Sequence, residues 1–262
     1  MAKTYRIGTR TSSLALRQVG EILQALRKFY PDFKAEVISM DTYGDKDKIT
    51  PISQIEGADF FTREIDDALL KGEVYPSTML SANGEPVELG RPSTSLRPSP
   101  ELIEERSRTI DFAVHSAKDL PDTLKEGLVI AAQTKSIDPY DALVSQNGLK
   151  LAELPQGARI GTSSIRRKTQ LSRYRDDFDI VDIRGNIEER LEKLDNGNLD
   201  GIVIAACALV RLGLESRIAQ RIPFEILKPH PLQGALAIVV RAGDLKLYNL
   251  LSVIDSREVV LL

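Results

Sequence analysis

Apolar and polar positions alternate along this chain in short buried runs followed by amphipathic stretches, a pattern of strands feeding helices. Residues 6–9, Arg6-Ile7-Gly8-Thr9, read as a strand. Ser12 or Ser13 can then cap a helix, because Leu16, Val19, Leu23 and Leu26 recur at helical spacing up to Phe29, with Pro31 behind the stop. Residues 35–40 predict a second strand, and Gly44-Asp45-Lys46-Asp47-Lys48 a polar loop. Residues 62–71 predict a helix with Ile65, Leu69 and Leu70 inward, and 110–114 a third strand. After Asp138-Pro139 the rhythm restarts: strands at 158–162, 179–183 and 199–205, helices at 164–172 and 187–194, and a short helix near Leu209. Residues 235–240 are apolar enough to return as a strand to the first sheet.

Such alternation implies parallel or mixed sheets covered by helices, an α/β architecture. Two blocks with a hinge near 136–140 suggest two α/β domains facing across a cleft. The expected division is residues 1–135 with 230–262 for the first domain and 140–228 for the second. No internal repeat is detectable. The stretch 74–107 breaks the rhythm with Pro76, Pro86, Pro92, Pro98 and Pro100 among Ser, Gly and Glu. A loop that long inside a domain reads as a mobile surface insertion, an arm or a lid.

Composition narrows the class. The 35 basic side chains against 38 acidic give a net charge of −3, which argues against a general nucleic-acid binder. Any anion site must therefore come from local clustering. One cysteine, Cys207, excludes a disulfide framework and a thiolate-rich metal site, and with only His115 and His230 a zinc enzyme is not expected. No run approaches the roughly 18 apolar residues of a membrane span, and the N-terminus lacks the apolar core of a secretory signal. The expectation is a cytoplasmic protein with no metal, no nucleic acid and no membrane partner; nothing in the sequence marks an oligomeric state.

Three constellations carry chemistry. Gly161-Thr162-Ser163-Ser164-Ile165-Arg166-Arg167 sits where a strand gives way to a helix, so hydroxyls, free backbone N–H groups and fixed charge could accept an anion. Adjacent on a helix, Arg166 and Arg167 should hold different groups of one ligand, or one should face solvent; the plain alternative is a capped surface helix. Arg184-Gly185-Asn186 follows another strand, with Arg190 one and a half turns on. Together with Arg10 and Lys118, at least six basic groups stand just beyond strand ends, where open α/β sheets bind ligands. A partner with several carboxylates or phosphates is implied. The third is the polar cluster ending the strand before Pro121, His115-Ser116-Ala117-Lys118-Asp119. An acid beside a lysine can stabilise a developing cation or move a proton, although His115 and Asp119 could equally be structural.

These residues resemble the hydroxymethylbilane synthase, or porphobilinogen deaminase, family. The likeness runs through residues 7–16, Phe61-Thr62-Arg63-Glu64, residues 114–121, Asp138-Pro139-Tyr140-Asp141-Ala142-Leu143, residues 161–167, Arg184-Gly185-Asn186, Arg211-Leu212-Gly213-Leu214 and Gln233-Gly234-Ala235-Leu236-Ala237-Ile238, in family order. It implies two domains like type II periplasmic binding proteins with an interdomain cleft. It implies a transferase of tetrapyrrole and heme biosynthesis that condenses porphobilinogen, or a related carboxylated pyrrole, with loss of ammonia. Asp119 matches the catalytic aspartate that stabilises a cationic azafulvene. Arg10, Ser12, Lys118, Ser164, Arg166, Arg167, Arg184 and Arg190 match groups that bind acetate and propionate side chains.

The resemblance also implies a dipyrromethane cofactor, attached to a cysteine of a third small α/β domain in a Gly-Gly-Cys context. The sequence ends at Leu262, before that segment, so the third domain and the attachment cysteine are expected to be absent. Cys207 does not align with that cysteine and reads as a small buried hydrophobe in Ile204-Ala205-Ala206-Cys207-Ala208-Leu209. Other departures are Ala58 for a flap lysine, Ser136 for an arginine, Glu188 and Glu189 beside the Arg-Gly-Asn motif, and Val239 for a glutamate. The alternative function is a repurposed or non-catalytic cleft-binding protein for a small polycarboxylate.

Overall fold

The fold is that of a computed structural model in which residues 3–47, 50, 59–71, 79–80, 86–87 and 109–257 are described. The first sheet grows from β1 (Thr4–Arg10), whose Ile7, Gly8 and Thr9 are buried. It pairs in parallel with β2 (Lys34–Met40) and with β5 (Phe112–Ser116). The sheet is completed by β12 (Leu236–Arg241), antiparallel to both β5 and β6 (Leu128–Gln133), giving the order β2-β1-β5-β12-β6. The helix α1 (Ser13–Arg27) starts where the Ser12 hydroxyl accepts the Ala15 N–H at 3.3 Å. Its Val19, Ile22 and Leu26 pack on Ile7, Phe112 and Val114, joined by Leu247 and Leu251 of α7 (Leu245–Leu251). On the other face Ile65, Ala68 and Leu69 of α3 (Arg63–Lys71) meet Ile38, Ile110 and Val239. Each such fully buried Ile or Leu contributes about 1.5–3 kcal/mol.

The second sheet has the order β11-β7-β10-β8-β9. Its core strand is β10 (Gly201–Ala205), antiparallel to β7 (Asp141–Ser145) and parallel to β8 (Arg159–Gly161). The edges are β11 (Gln220–Ile222), against β7, and β9 (Asp179–Val181), against β8. The helices α4 (Ile165–Tyr174), α5 (Ile187–Asp195) and α6 (Ala206–Leu212) cover it. Leu171 and Leu191 anchor α4 and α5 to opposite faces, in separate clusters. The chain crosses between sheets twice, and the crossings are tied together: the Ser136 hydroxyl donates to Gln233 O (2.7 Å) and Leu236 N–H to the Thr134 hydroxyl (3.0 Å). Gly234 sits between them with φ +88°, and a Cβ there would lie 2.8 Å from Asp138 O, so only glycine fits.

The chain corrects several expectations. The predicted polar loop at 44–48 begins as a helical turn, α2 (Tyr43–Lys46), because Asp45 accepts both the N–H and the hydroxyl of Thr42. The strand predicted over 179–183 stops at Val181. Beyond it the Ser163 hydroxyl donates to Ile183 O (2.6 Å) and accepts Ile183 N–H (3.0 Å), replacing the ladder. Strands β6, β7 and β11 and helix α7 were not anticipated. Within the predicted insertion 74–107, the described backbone is a two-stranded ladder of β3 (Met79–Leu80) and β4 (Pro86–Val87); the remainder of that expectation, and Ala58, lie outside the described residues. No helix among the described residues is long and apolar enough to cross a membrane.

Candidate active site

The sheets present the C-terminal ends of β1, β5, β8, β9 and β10 to one another, and the basic side chains gather at those ends. Arg10 closes β1. Its Nε donates to Asp45 Oδ2 at 3.0 Å, its Nη2 to Asp45 Oδ1, and its guanidinium lies 4.2 Å from the centre of the Phe61 ring. Burial works against ionisation of Asp45, but Arg10 and then Thr42 prevail and hold its carboxyl below the usual range. Lys118 and Asp119 stand on the 3-10 turn Ala117–Asp119 that ends β5. Burial lowers the Lys118 ammonium from its ordinary value; Asp119 opposes that shift and Arg167 adds to it.

Beyond β8, Ser164 caps α4 by accepting Arg167 N–H at 3.5 Å. The two arginines that follow, read as holding different groups of one ligand or with one facing solvent, both contact Asp141 at the start of β7. Arg166 Nη2 donates to Asp141 Oδ2 (2.8 Å), and Arg167 Nε to Asp141 Oδ1 (3.0 Å). In the first turn of a helix, adjacent side chains both reach a carboxylate standing beyond the N-terminus. Arg167 is 7% exposed and Asp141 fully buried. Gln233 donates to the same carboxylate at 3.0 Å and to Pro139 O at 2.9 Å. Burial opposes ionisation of Asp141, yet Arg167 and Arg166 outweigh it and hold the carboxyl below its ordinary range.

Beyond β9 the pattern is different. Arg184 is 6% exposed and reaches across to the other sheet's layer, where Nη2 donates to Asp47 O (2.7 Å) and Gly44 O (3.3 Å). Its Nη1 is buried without a hydrogen-bond partner among the described residues. Arg190, on the second turn of α5, donates from Nε to Gly185 O at 2.8 Å. Burial, then Arg167, Arg184 and Arg10, bring its guanidinium down to about 10, against a weaker pull from Glu189. Arg167, Arg184 and Arg10, from both layers, are thus near enough to act on Arg190. Among the described residues, no carboxylate forms an ion pair with Arg184 or Arg190.

His115 lies behind the site, buried, with Nε2 3.2 Å from Asp66 Oδ1. Cys207 is the second residue of α6, 5% exposed, and burial raises its thiol from the ordinary value. Sequence reasoning passed over three residues here. Asp45 was counted as loop polarity. Asp141 was quoted inside Asp138-Pro139-Tyr140-Asp141 without a role. His230 was counted only as a metal-ligand candidate, although it lies three residues before the Gln233-Gly234-Ala235 run. The arrangement gathers cations suited to a ligand bearing several carboxylates, with Asp119 on the turn that ends β5.

The family described as "Porphobilinogen deaminase, dipyromethane cofactor binding domain" matches residues 5–77 and 101–249, skipping the middle of the proline-rich stretch. Similar curated proteins include the porphobilinogen deaminase of Desulforamulus reducens, 39% identical over 258 residues, which cover 98% of this chain and 72% of that protein. Another is the porphobilinogen deaminase of Natranaerobius thermophilus, 39% identical over 254 residues, 97% and 70% of the two chains. Among solved structures, a lipoprotein from Bacillus subtilis superposes with a TM-score of 0.50 at 12% identity, over 98% of this chain and 91% of that one. A substrate-binding domain from Streptococcus pneumoniae does so at 0.50 and 11%, over 95% and 90%. The fold is thus the two-domain α/β fold of periplasmic binding proteins.

Proposed function

The chain belongs to the porphobilinogen deaminase family, and on that premise we propose that its cleft binds porphobilinogen or a related carboxylated pyrrole and condenses it with loss of ammonia. It is a transferase of tetrapyrrole biosynthesis. Residues 1–135 with 230–262 form one domain in this reading, and 140–228 the other.

The observation that carries the proposal is the cationic corner of Arg184 and Arg190. A buried guanidinium with an unpartnered Nη1 is costly unless a ligand anion completes it. Acetate and propionate groups supply that anion, and in this reading Arg10, Lys118, Ser12 and Ser164 bind such groups as well. Asp119 faces the reacting pyrrole. Departure of ammonia leaves a cationic azafulvene, and a carboxylate accepting its pyrrole N–H stabilises the charge where it develops. The arginines hold the carboxylates so that the reacting carbon stays at Asp119.

The same cations would suit the carboxylates of dipyrromethane, which Arg184 and Arg190 would hold. When bound, that group supplies the pyrrole to which the first substrate is joined. Cys207 does not fit its anchoring: the thiol is buried and its pKa raised, whereas a thioether requires an accessible thiolate. The second reading is a cleft-binding protein for a small polycarboxylate without catalysis.

Incubation with porphobilinogen, following its consumption and the intact mass of the protein, separates the two. The expected result is consumption that falls by roughly 10²–10⁴-fold in Asp119→Asn, with the unfolding midpoint preserved. Binding without consumption supports the second reading. Neither binding nor consumption overturns both.

A further inference from the structure

The segment between Lys228 and Ala235 is held at each end by a different layer. At one end Lys228 O accepts from Gln170 Nε2 (3.2 Å) and from Arg166 Nη1, and Lys228 N–H donates to Gln170 Oε1 (2.8 Å), so α4 grips it. At the other, Ala235 O accepts Ala117 N–H at 3.0 Å, which binds it to the turn carrying Lys118 and Asp119. Midway stands His230, between Pro229 and Pro231. Its ring is oriented, because Nδ1 accepts Leu232 N–H at 3.2 Å, and its carbonyl accepts Gln233 N–H at 2.9 Å. With Nδ1 an acceptor, the neutral ring carries its proton on Nε2 and presents that N–H away from its own loop. The ring is partly exposed, on a segment bonded both to the turn carrying Lys118 and Asp119 and to α4.

We infer that His230 is a ligand-binding residue of this site, donating its Nε2–H to a carboxylate that Lys118 and Arg166 also attract. The inference rests on the carboxylated-pyrrole reading and deepens it by assigning one side-chain carboxylate to a neutral donor. Four charged groups are near enough to act on the ring, Lys118, Asp119 and Asp122 from the first layer and Arg166 from α4; Lys228 is the charged residue of its own segment. Burial, then Lys118 and Arg166, hold the imidazole below its ordinary value, with Asp119 and Asp122 opposing. The free ring is therefore neutral at pH 7 and serves as a donor. A ligand carboxylate placed beside the two cations offsets their repulsion and raises the affinity of His230 for a proton. Binding at His230 thus tightens as pH falls from 7 toward 6, and a proton is taken up with the ligand.

Two histidines make the test direct. Proton–nitrogen correlation spectra of the imidazoles, assigned with His230→Gln, are recorded with and without porphobilinogen, alongside calorimetric binding to wild type, His230→Ala and His230→Gln. The expected result is a neutral Nε2–H tautomer for free His230, a shift of its signals and an upward move of its titration midpoint on adding porphobilinogen, with His115 unmoved. His230→Ala should bind about tenfold more weakly, and His230→Gln, which keeps a donor, within about threefold of wild type, without the wild-type pH dependence. If wild type binds porphobilinogen while His230 signals stay still, or if His230→Ala binds equally well, the inference is overturned and the carboxylated-pyrrole reading stands. If wild type does not bind, that reading fails and the inference with it.

Discussion

Two corners of the cleft use the same side chain in opposite ways. At the start of α4, Arg166 and Arg167 share the buried carboxylate of Asp141, which Gln233 also contacts. Beyond β9, Arg184 and Arg190 have backbone carbonyls as their contacts, and one guanidinium nitrogen of Arg184 is buried and unpartnered among the described residues. The first corner carries its own counter-ion, Asp141, which joins α4 to β7. The second has none among the described residues; burial first, and then the neighbouring arginines, lower the Arg190 guanidinium from its ordinary value. An arginine with an internal partner has its counter-charge before any ligand arrives; a buried arginine without one depends on the ligand for it. Strand-end placement alone does not separate the two kinds.

The comparison breaks most visibly at Asp141. Asp141→Asn leaves Arg167 buried without its charge partner, and such a loss costs about 3–5 kcal/mol. Chemical denaturation should show the midpoint falling accordingly; a variant as stable as wild type would mean that the first corner is not self-contained. The next effect is on binding. Arg190→Met should weaken porphobilinogen binding by roughly ten- to a hundredfold, since a hydrogen bond to a charged group is worth about 1.5–3 kcal/mol, with KM or calorimetric Kd as the readout.

A pH titration sharpens the contrast. The Asp141 and Asp45 carboxyls are held below their ordinary values in the folded protein. Their contribution is complete above the unfolded value of about 3.9 and is lost as pH falls through it toward the folded value. Wild type should therefore lose stability steeply below about pH 4, and Asp141→Asn, already without one of these groups, should lose less over the same window. Equal acid slopes would contradict the assignment. The smallest effect is expected at Cys207. Replacing this buried thiol by Ser costs about 1–2 kcal/mol of stability from a hydroxyl in apolar surroundings. Porphobilinogen consumption should be retained. A ladder of pyrrole-sized mass increments abolished by Cys207→Ser would show that the thiol is a tether after all.

Much of the scaffold is legible in the chain because its signals are local. The Leu16–Val19–Leu23–Leu26 spacing writes α1, and Ser12 and Ser164 are hydroxyls in front of helical runs. The one-turn α2 is not legible. Its Thr42–Asp45 bonds are local, but the same carboxylate also answers Arg10, 35 residues away, and Gly44 lies under Phe60 and Phe61. The short edge strand β11 carries three residues of mixed burial and too little pattern to read. In the site, the sequence shows which residue types stand beyond strand ends. It does not show which cations are already neutralised, because Asp141 meets Arg166 and Arg167 across 25 and 26 positions. His230 escaped notice for the same reason: its neighbours Lys118 and Arg166 come from distant elements, and only the folded segment from Lys228 to Ala235 brings them to it.

The central claim is that the Arg184–Arg190 corner takes its counter-ion from the ligand. Thermal unfolding of wild type and Arg190→Met, each with and without saturating porphobilinogen, tests it most directly. Without ligand, Arg190→Met should be at least as stable as wild type, because removing the residue relieves like-charge repulsion. With ligand, the wild-type midpoint should rise by mass action and that of Arg190→Met should rise far less at the same concentration. A variant that is destabilised without ligand, or that gains as much from porphobilinogen as wild type does, would contradict the account.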